Sequence, residues 1–571
     1  MMQEQLKVEN YEFEAKKTIK GYPELHWTGK RPYRTTQYFP AQLKESYGYE
    51  KEGWMNKIFW GDNLQVMSHM LREYRGKIDL IYIDPPFDSK ADYKKKIKLK
   101  GKKITNDNNF FEEKQYTDIW SNDEYLQFMY ERLILLRELL SDTGSIYLHC
   151  DYRKVHHLRC IMDEVFGIDN FRNEISWCYT GPSAPKGAFP RKHDNILFYS
   201  KSKDNNFNGD FVEYKSGIHN TGQVFGSTDG DADKIEKLKE RGKLVEDWWT
   251  DIYTTDRVRS EMLGYPTQKP EKLLERIIKA SSNEGDIVFD CFMGSGTCQA
   301  IAMKLGRKFI GADINMGSIQ ITTKRLISLQ KELSDKDDVF TGFEVYNVNN
   351  YDFFRNPAQA KELLVEALEI QTVDSRNIYD GEKDGRMVKI MPINRISTKA
   401  DLEELKANFP YKTFEKRKAE KTNEPVEKLL LVCMGHEPDL KVSLEQELSD
   451  YKLDIEIVDI LRDKSVLELK RDSEIEVEID NGILKIVNFY PMNLLQKLSI
   501  QKEFVDDWRQ LVESVMIDFN YDGAVMQPSI TDITEKNEIV NGEYSIPKDA
   551  GTVRVKITDL LSESLEWEVK L

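Results

Sequence analysis

Residues 84–87, Asp-Pro-Pro-Phe, carry the most specific chemistry in this chain. They end a continuous apolar run over residues 78–84, which predicts a buried parallel strand. Two consecutive prolines fix φ twice and cannot continue a β ladder, so they hold the backbone rigid at the strand end where α/β proteins bind ligands. The Asp84 carboxylate and the Pro85 carbonyl could accept hydrogen bonds from an amino group, with the Phe87 ring stacked on a planar base. A strand that is merely stopped by prolines is the structural alternative.

A glycine turn is the second candidate, in the segment 290–297, Asp-Cys-Phe-Met-Gly-Ser-Gly-Thr. Gly294 and Gly296 follow a predicted strand and open a predicted helix, so the bare backbone and free N–H groups could approach a nucleotide or nucleoside. Such turns also join strands to helices without any ligand. Asp313 ends the next predicted strand, twenty-three residues after Asp290, where a carboxylate can accept hydrogen bonds from both ribose hydroxyls. A phosphate-binding lysine is absent, which disfavours ATP.

Both motifs lie within a long alternation of predicted strands and helices. The strands span 57–60, 78–84, 145–150, 174–179, 195–199, 287–290 and 308–313. The helices span 64–74, 122–140, 152–166, 271–280, 297–305 and 318–333. This alternation predicts an α/β fold with a parallel, doubly wound sheet covered on both faces.

Three other segments differ in character. Residues 1–55 are aromatic without a clear period, and we predict an arm or lid. The segment 201–262 is rich in Gly, Asn, Asp and Lys, with a short charged helix predicted at 233–242. Residues 351–571 show helices first and then short alternating runs, which predict a separate α+β part that holds no catalytic motif.

Charge is divided unevenly along the chain. The formal net charge is −16, of which residues 351–571 contribute −15 and residues 1–350 the remaining −1. Within the neutral part, residues 90–103 hold eight lysines against one acid. Such a patch can bind phosphates, although a solvated loop has the same composition. The candidate phosphate contacts are Lys94, Lys95, Lys96, Lys98, Lys100, Lys102 and Lys103.

Composition limits the class of protein. A chain of 571 residues with 40% hydrophobic and 32% charged residues predicts several folded domains, and no apolar run is long enough to cross a membrane. The first residues lack a secretory pattern, so we expect a cytoplasmic protein. The six cysteines are scattered without metal-ligand spacing, which indicates reduced thiols and no metal site.

Four motifs together resemble the β-type amino-methyltransferases of DNA, in which the catalytic motif precedes the cofactor motif. They are Asp84–Phe87, the Phe292–Gly296 loop, Gly61-Asp62 and Tyr265-Pro-Thr-Gln-Lys-Pro270. The chain most resembles the modification subunits of type III restriction systems and related adenine-specific enzymes, over about residues 57–330. Cys291 and Phe87 replace the family's commoner proline and tyrosine, and both keep the shape of the site.

The resemblance implies a role for each matching residue. Asp84, Pro85, Pro86 and Phe87 would bind the target base. Asp62, Thr267, Gln268, Lys269, Asp290, Phe292, Gly294, Gly296, Thr297 and Asp313 would bind S-adenosylmethionine. The implied fold is a Rossmann-like sheet with a circularly permuted motif order.

The implied reaction is methylation of N6 of a flipped-out adenine in double-stranded DNA, within a restriction-modification or defence system. Cytosine-N4 methylation is an alternative, although that class more often has serine in place of Asp84. Methylation of RNA or of a protein glutamine, where asparagine usually stands, and an idle recognition subunit of a larger complex are further alternatives.

The expected organisation has five parts and an assembly. They are an arm (1–55), the catalytic half (56–200), a target-recognition segment (201–262), the cofactor half (263–350) and the acidic C-terminal part (351–571). We expect a homodimer or a subunit of a complex, because enzymes of this type commonly pair.

Overall fold

The computed structural model describes most of the chain. The longer described ranges are 10–13, 24–86, 92–98, 110–117, 122–181, 187–209, 243–263, 267–335, 341–348, 378–392, 397–420, 425–433, 440–460, 473–500, 507–534 and 538–571. Shorter described pieces are 185, 211–212, 265, 361, 364–365, 368, 370–372, 435–436 and 505. The predicted helix at 233–242 lies outside these residues.

A ten-stranded sheet forms the centre of the molecule. Its strands in chain order are β1 (Ala41–Tyr47), β2 (Asn56–Trp60), β3 (Ile78–Ile83), β4 (Leu140–Cys150), β5 (Phe171–Cys178), β6 (His193–Ser200), β7 (Trp248–Trp249), β8 (Ile287–Asp290), β9 (Lys308–Asp313) and β10 (Phe343–Val348). Their order across the sheet is β7-β5-β6-β4-β3-β8-β9-β2-β10-β1. The six strands from β4 to β10 in that order are mutually parallel.

Six helices cover the sheet, three on each face. They are α1 (Asn63–Tyr74), α2 (Asn122–Leu139), α3 (Val155–Phe166), α4 (Glu271–Ser281), α5 (Thr297–Lys304) and α6 (Met316–Asp335). Alternation along β3 explains the two cores: Ile81 and Ile83 pack with α1, α2 and α3, whereas Leu80 and Tyr82 pack with α4, α5 and α6. The predicted doubly wound α/β sheet is confirmed.

The order of the strands brings distant parts of the sequence together. The chain passes from β2 to β3 and leaves two positions between them, which β8 and β9 fill more than two hundred residues later. The first half of the alternation and the second half therefore share one parallel sheet.

The segment predicted as an N-terminal arm contributes to the sheet. Strand β1 pairs antiparallel with β10 at the sheet edge, and the Tyr47 ring stacks on Phe343 with ring centroids 4.8 Å apart. The alternation in β1 was not recognised because burial is concentrated at the end of the strand, at Glu45 and Tyr47.

The acidic C-terminal part forms two further units. The first has strands β11 (Gln371–Thr372), β12 (Gly381–Lys383), β13 (Arg386–Ile390), β14 (Glu427–Cys433) and β15 (Leu453–Asp459), with helices α7 (Lys399–Ala407), α8 (Tyr411–Glu420) and α9 (Leu440–Glu447). The second has β16 (Glu474–Asp480), β17 (Ile483–Tyr490), β18 (Val512–Asp518), β19 (Ile530–Ile533), β20 (Glu543–Ser545), β21 (Thr552–Asp559) and β22 (Ser564–Lys570), with α10 (Met492–Ile500). Each unit has its own apolar core, and in the first unit β13, β14 and β15 pair in parallel with helices between them in the chain.

The second C-terminal unit covers the β1 edge of the central sheet. Ser46 N donates to the Met526 carbonyl at 3.0 Å, and Met526 N donates to the Lys44 carbonyl at 2.9 Å. Met516 and Met526 join the apolar cluster that contains Tyr47 and Phe343. This unit therefore packs against the central sheet and covers its edge.

Three short antiparallel pairs complete the described strands. They join Asn10–Glu12 to Thr35–Gln37, Asp92–Lys98 to Phe110–Thr117, and Phe211–Val212 to Lys243–Leu244. Among the helices of the described ranges, none combines the length and apolarity that a membrane crossing requires.

Candidate active site

The predicted motifs meet at one edge of the sheet. Strands β3, β8, β9 and β2 are consecutive and parallel, so their carboxyl ends lie side by side. Asp290 is in register with Gly311, and Asp313 with Trp60, one residue before Gly61. Asp84 follows β3 at the same edge, as Phe289 pairs with Ile81. The sheet thus unites the Asp-Pro-Pro-Phe segment with the glycine loop.

Both glycines of the loop are required by the backbone. Gly294 has φ +51° and Gly296 has φ +69°, a region that side chains disfavour. A Cβ at Gly296 would also meet Thr322 Cγ2 at 2.5 Å. Helix α5 begins directly after this turn, at Thr297, so its N-terminus faces the same edge of the sheet.

Two buried aspartates hold the loop. Asp313 accepts hydrogen bonds from the N–H groups of Gly294 at 2.9 Å and Asn315 at 2.8 Å. Burial raises the pKa of Asp313 to about 6, against the opposing effect of these bonds. Asp290 accepts from Phe292 N at 2.9 Å, and burial raises its pKa well above the ordinary value. Their roles toward a ribose and a cofactor remain predictions.

The carboxyl end of β2 contains a polar cluster that the sequence did not fully reveal. Asp62 caps α1 by accepting from Leu64 N at 2.9 Å, and it pairs with Arg132 of α2 at 3.1 Å. The Arg132 guanidinium lies 3.5 Å from the centroid of the Phe128 ring, which is 6.2 Å from the Phe292 ring. A charged residue on the buried side of an amphipathic helix was the available signal for Arg132.

Asp84 forms an ion pair with Lys269. Its Oδ2 accepts from Lys269 Nζ, and the two side chains are 16% and 11% exposed. Asp84 Oδ1 is buried and has no hydrogen-bond partner among the described residues. Pro85 is buried and Pro86 half-buried. The site therefore presents one open acceptor beside a rigid proline pair.

The segment 267–270 lies between the catalytic and cofactor motifs. The Lys269 carbonyl accepts from Thr297 Oγ1 at 3.3 Å. The Gln268 amide is directed away from the loop glycines, since it donates to the Glu261 carbonyl at 2.6 Å and accepts from Leu263 N at 3.0 Å. The Gln268 side chain therefore fixes the loop at 261–263 in this structure, while Lys269 reaches Asp84.

The structure describes only part of the predicted base-binding and lysine-rich segments. Phe87, Lys100, Lys102 and Lys103 lie outside the described residues. Lys94, Lys95, Lys96 and Lys98 lie in the strand Asp92–Lys98, of which the backbone is described. The hairpin formed by this strand begins a few residues after Pro86.

A second polar network, missed in the sequence, lies behind the catalytic strand. The fully buried His149 has Tyr82 OH at 3.0 Å from Nδ1 and Asp194 Oδ2 at 3.1 Å from Nε2. Tyr179 OH donates to Asp194 Oδ1 at 3.1 Å. Burial would raise the pKa of Asp194, but His149 and the charge of Lys269 hold it below its ordinary value.

Comparison with known proteins gives concordant matches. The DNA methylase family matches residues 78–324, which include both motifs. The chain is 32% identical to type II methyltransferase M.HpaI of Haemophilus parainfluenzae over 47% of this chain and 70% of the relative. It is 31% identical to M1.MboII of Moraxella bovis, over 42% and 85%. It is 29% identical to the DNA adenine methyltransferase YhdJ of Escherichia coli, over 47% and 82%.

These matches confirm the resemblance inferred from the motifs. M.HpaI and M1.MboII each share more than 30% identity with the chain over more than two thirds of their own length. The residues matched by the family, 78–324, begin at β3 and end within α6. The chain belongs to the DNA methylase family.

Proposed function

We propose that this protein transfers a methyl group from S-adenosylmethionine to N6 of adenine in DNA, within a restriction-modification or defence system. The observation that carries the proposal is Asp84 Oδ1, a buried acceptor with no hydrogen-bond partner among the described residues, at the sheet edge that also carries the glycine loop. The similarity to a DNA adenine methyltransferase favours adenine over cytosine.

The residues at the carboxyl edge fit a nucleoside cofactor. Gly294 and Gly296 give the turn before α5 its left-handed backbone, which leaves the N-terminus of the helix at the sheet edge, and Asp313 offers a carboxylate to ribose hydroxyls. When bound, S-adenosylmethionine supplies a methyl group made electrophilic by its sulfonium. Asp62 pairs with Arg132, which packs on Phe128, and Phe128 contacts the loop residue Phe292. Asp62 and Phe292 would therefore complete the binding site for the adenosine.

The target base must leave the duplex to reach Asp84, since its amino group is otherwise paired. The exocyclic amine is a weak nucleophile because its lone pair is delocalised into the ring. Hydrogen bonds from this amine to Asp84 Oδ1 and to the Pro85 carbonyl draw it toward tetrahedral geometry, and Phe87 replaces the lost stacking. Asp84 and the prolines thus orient the amine for in-line attack.

Exposed aromatic and basic side chains beside the site suit DNA. Tyr152 follows β4 at the same sheet edge and is 39% exposed. The Arg191 guanidinium lies 4.2 Å from the centroid of the Tyr152 ring, and Arg153 extends from the next position. Arginine and aromatic planes of this kind bind phosphates and unstacked bases. The lysines of the hairpin at 92–98 and the segment 201–262 would add further contacts and the sequence readout.

We further propose that the chain works as a homodimer or within a complex, with the domain limits given from the sequence. The second C-terminal unit covers the β1 edge, so this proposal does not place the association at that edge. Light scattering of the full chain at micromolar concentration, without DNA, should give the dimer mass. A monomer would overturn the self-association proposal.

Nucleoside mass spectrometry tests the reaction. DNA is incubated with the protein and methyl-labelled S-adenosylmethionine, digested and analysed. Label in N6-methyladenine is the expected result. Label in N4-methylcytosine would transfer the proposal to the cytosine alternative, and label confined to RNA or protein substrates, or its absence, would overturn it.

A further inference from the structure

Lys269 places a positive charge among several carboxylates. It pairs with Asp84, and its charge opposes the rise in the pKa of Asp290 that burial causes. The same charge supports the lowered pKa of Asp194, which burial alone would raise. One ammonium group therefore faces the ends of β3 and β8 and the network behind β3.

The backbone of Lys269 is bound to the first residue of α5. Its carbonyl accepts from Thr297 Oγ1 at 3.3 Å, and Arg325 donates to the same hydroxyl at 2.9 Å. Thr267, two residues earlier, has φ +64°, a conformation that β-branched residues rarely adopt. The chain is thus held in a strained turn that directs Lys269 away from α5 and toward Asp84.

We infer that Lys269 is a positioning residue for methyl transfer, which fixes Asp84 Oδ2 and keeps the carboxylate ionised so that Oδ1 accepts the target amine. This inference rests on the proposed function, and it gives Lys269 a role beyond cofactor binding. The ion pair leaves Oδ1 as the acceptor, since Oδ2 is taken.

The charges around Asp84 show why a cation is needed there. Asp290 at the end of β8 repels it, and Asp313 lies behind Asp290. Asp290 and Asp313 disfavour a further negative charge beside them, and Lys269 is the cation that offsets this effect at Asp84.

A protonated Asp84 would fail in the reaction. It would present a donor to an amine that must itself donate. In the working state, the lone pair of N6 forms the bond to the methyl carbon while the carbon–sulfur pair returns to sulfur, and the proton displaced from nitrogen leaves to water. Lys269 exchanges no proton in this scheme. Its ion pair with Asp84 Oδ2 keeps Oδ1 in place as the acceptor.

The test compares Lys269→Met, Lys269→Arg and the control Lys279→Met, whose exposed lysine pairs with Glu275 on α4. The rate of methyl transfer is measured against pH at saturating cofactor and DNA. We expect the acid side of the profile to move to higher pH in Lys269→Met, to stay nearer the wild-type position in Lys269→Arg, which keeps the charge, and to be unchanged in the control.

A readout independent of activity follows the same proton. In pH-difference infrared spectra, the Asp84 carboxyl band is identified by its absence in Asp84→Asn. It should appear at higher pH in Lys269→Met than in the wild type. Should the methionine variant fail to fold, Lys269→Gln replaces it with the same expected shift.

The failure of this inference is distinct from failure of the proposed function. A wild-type enzyme that labels no adenine removes the function itself, whereas the infrared titration still reports on the ion pair. Unchanged pH profile and infrared titration in Lys269→Met, or a loss confined to S-adenosylmethionine affinity measured by calorimetry, would overturn the positioning role.

Discussion

Two largely buried lysine–carboxylate pairs differ in one respect. At the sheet edge of the site, Lys269 pairs with Asp84; at the C-terminal interface, Lys556 pairs with Glu45. Both oxygens of Glu45 have partners, since Tyr47 OH donates to Oε2 at 2.7 Å. Asp84 Oδ1 has no such partner among the described residues. This unpartnered acceptor, and not the ion pair, distinguishes the carboxylate proposed to act in the reaction from the structural one.

The surroundings of the pairs reinforce this difference. The Lys556 pair lies against Met516 and Tyr47, within a mainly apolar contact between β1 and the last unit. The Lys269 pair lies beside Asp290 and the strained Thr267. Clustered carboxylates and backbone strain are costly for folding, and they concentrate where function requires them.

Breaking the interface pair should give the largest change in stability. Lys556→Met leaves Glu45 buried without its cation and should lower the free energy of unfolding of this contact by about 3–5 kcal/mol. This loss is measured by chemical denaturation followed by tryptophan fluorescence, in the unfolding transition that occurs at the lowest denaturant concentration. Methyl transfer per folded molecule should stay at the wild-type rate, and the double variant with Glu45→Leu should recover part of the loss. Equal denaturation curves would show that the pair is not structural.

Two glycines with the same φ allow the packing around the site loop to be tested. Gly296 and Gly76 both have φ +69°, but a Cβ meets Thr322 at 2.5 Å only in the first case and open space in the second. Alanine should cost about 1–2 kcal/mol at either position through φ, and about 1–3 kcal/mol more at Gly296 through overpacking. Denaturation of both variants measures the difference. Equal losses would mean that the loop adjusts freely.

Asp313 tests the cofactor side of the comparison. Asp313→Ala should weaken binding of S-adenosylmethionine by about 1.5–3 kcal/mol, the range for hydrogen bonds to a charged acceptor. Calorimetry at pH 8 measures it, with Asp450→Ala, on the surface of the C-terminal part, as the control. Unchanged affinity in Asp313→Ala would place the ribose elsewhere.

The change in cofactor affinity with pH should be smaller than the loss caused by Asp313→Ala. Because burial raises the pKa of Asp313 to about 6, the carboxylate is ionised above pH 6 and protonated below it. Affinity for S-adenosylmethionine should therefore be constant from pH 7 to 8 and fall by up to about tenfold per unit below pH 6. Asp313→Asn should lack this dependence. A wild-type affinity that is independent of pH would contradict the ionised acceptor.

Local patterns in the sequence were enough to predict the central fold. Apolar periodicity predicted β2, β3, β8 and β9 and the helices between them, and both Asp84 and the glycine loop were predicted to follow strands of one parallel sheet. These features depend on nearby residues and on a general rule for parallel sheets. For that reason they could be read without a structure.

Other features depend on partners far away in the sequence. Strand β1 is ordered by β10 and by Met526, so its own residues carried little signal. The contact of Lys269 with Asp84 was not predicted because it depends on how the turn at 267–270 passes over β3. The family resemblance assigned Lys269 to the cofactor alone.

Isosteric variants of the two carboxylates test the central claim most directly. Methyl transfer to DNA is measured for Asp84→Asn and Glu45→Gln at saturating S-adenosylmethionine, with cofactor affinity as the control for folding. We predict that Asp84→Asn binds the cofactor within a few-fold of the wild type and transfers no detectable methyl, whereas Glu45→Gln transfers at the wild-type rate per folded molecule. Retained turnover in Asp84→Asn, or an equal loss in Glu45→Gln, would contradict the account.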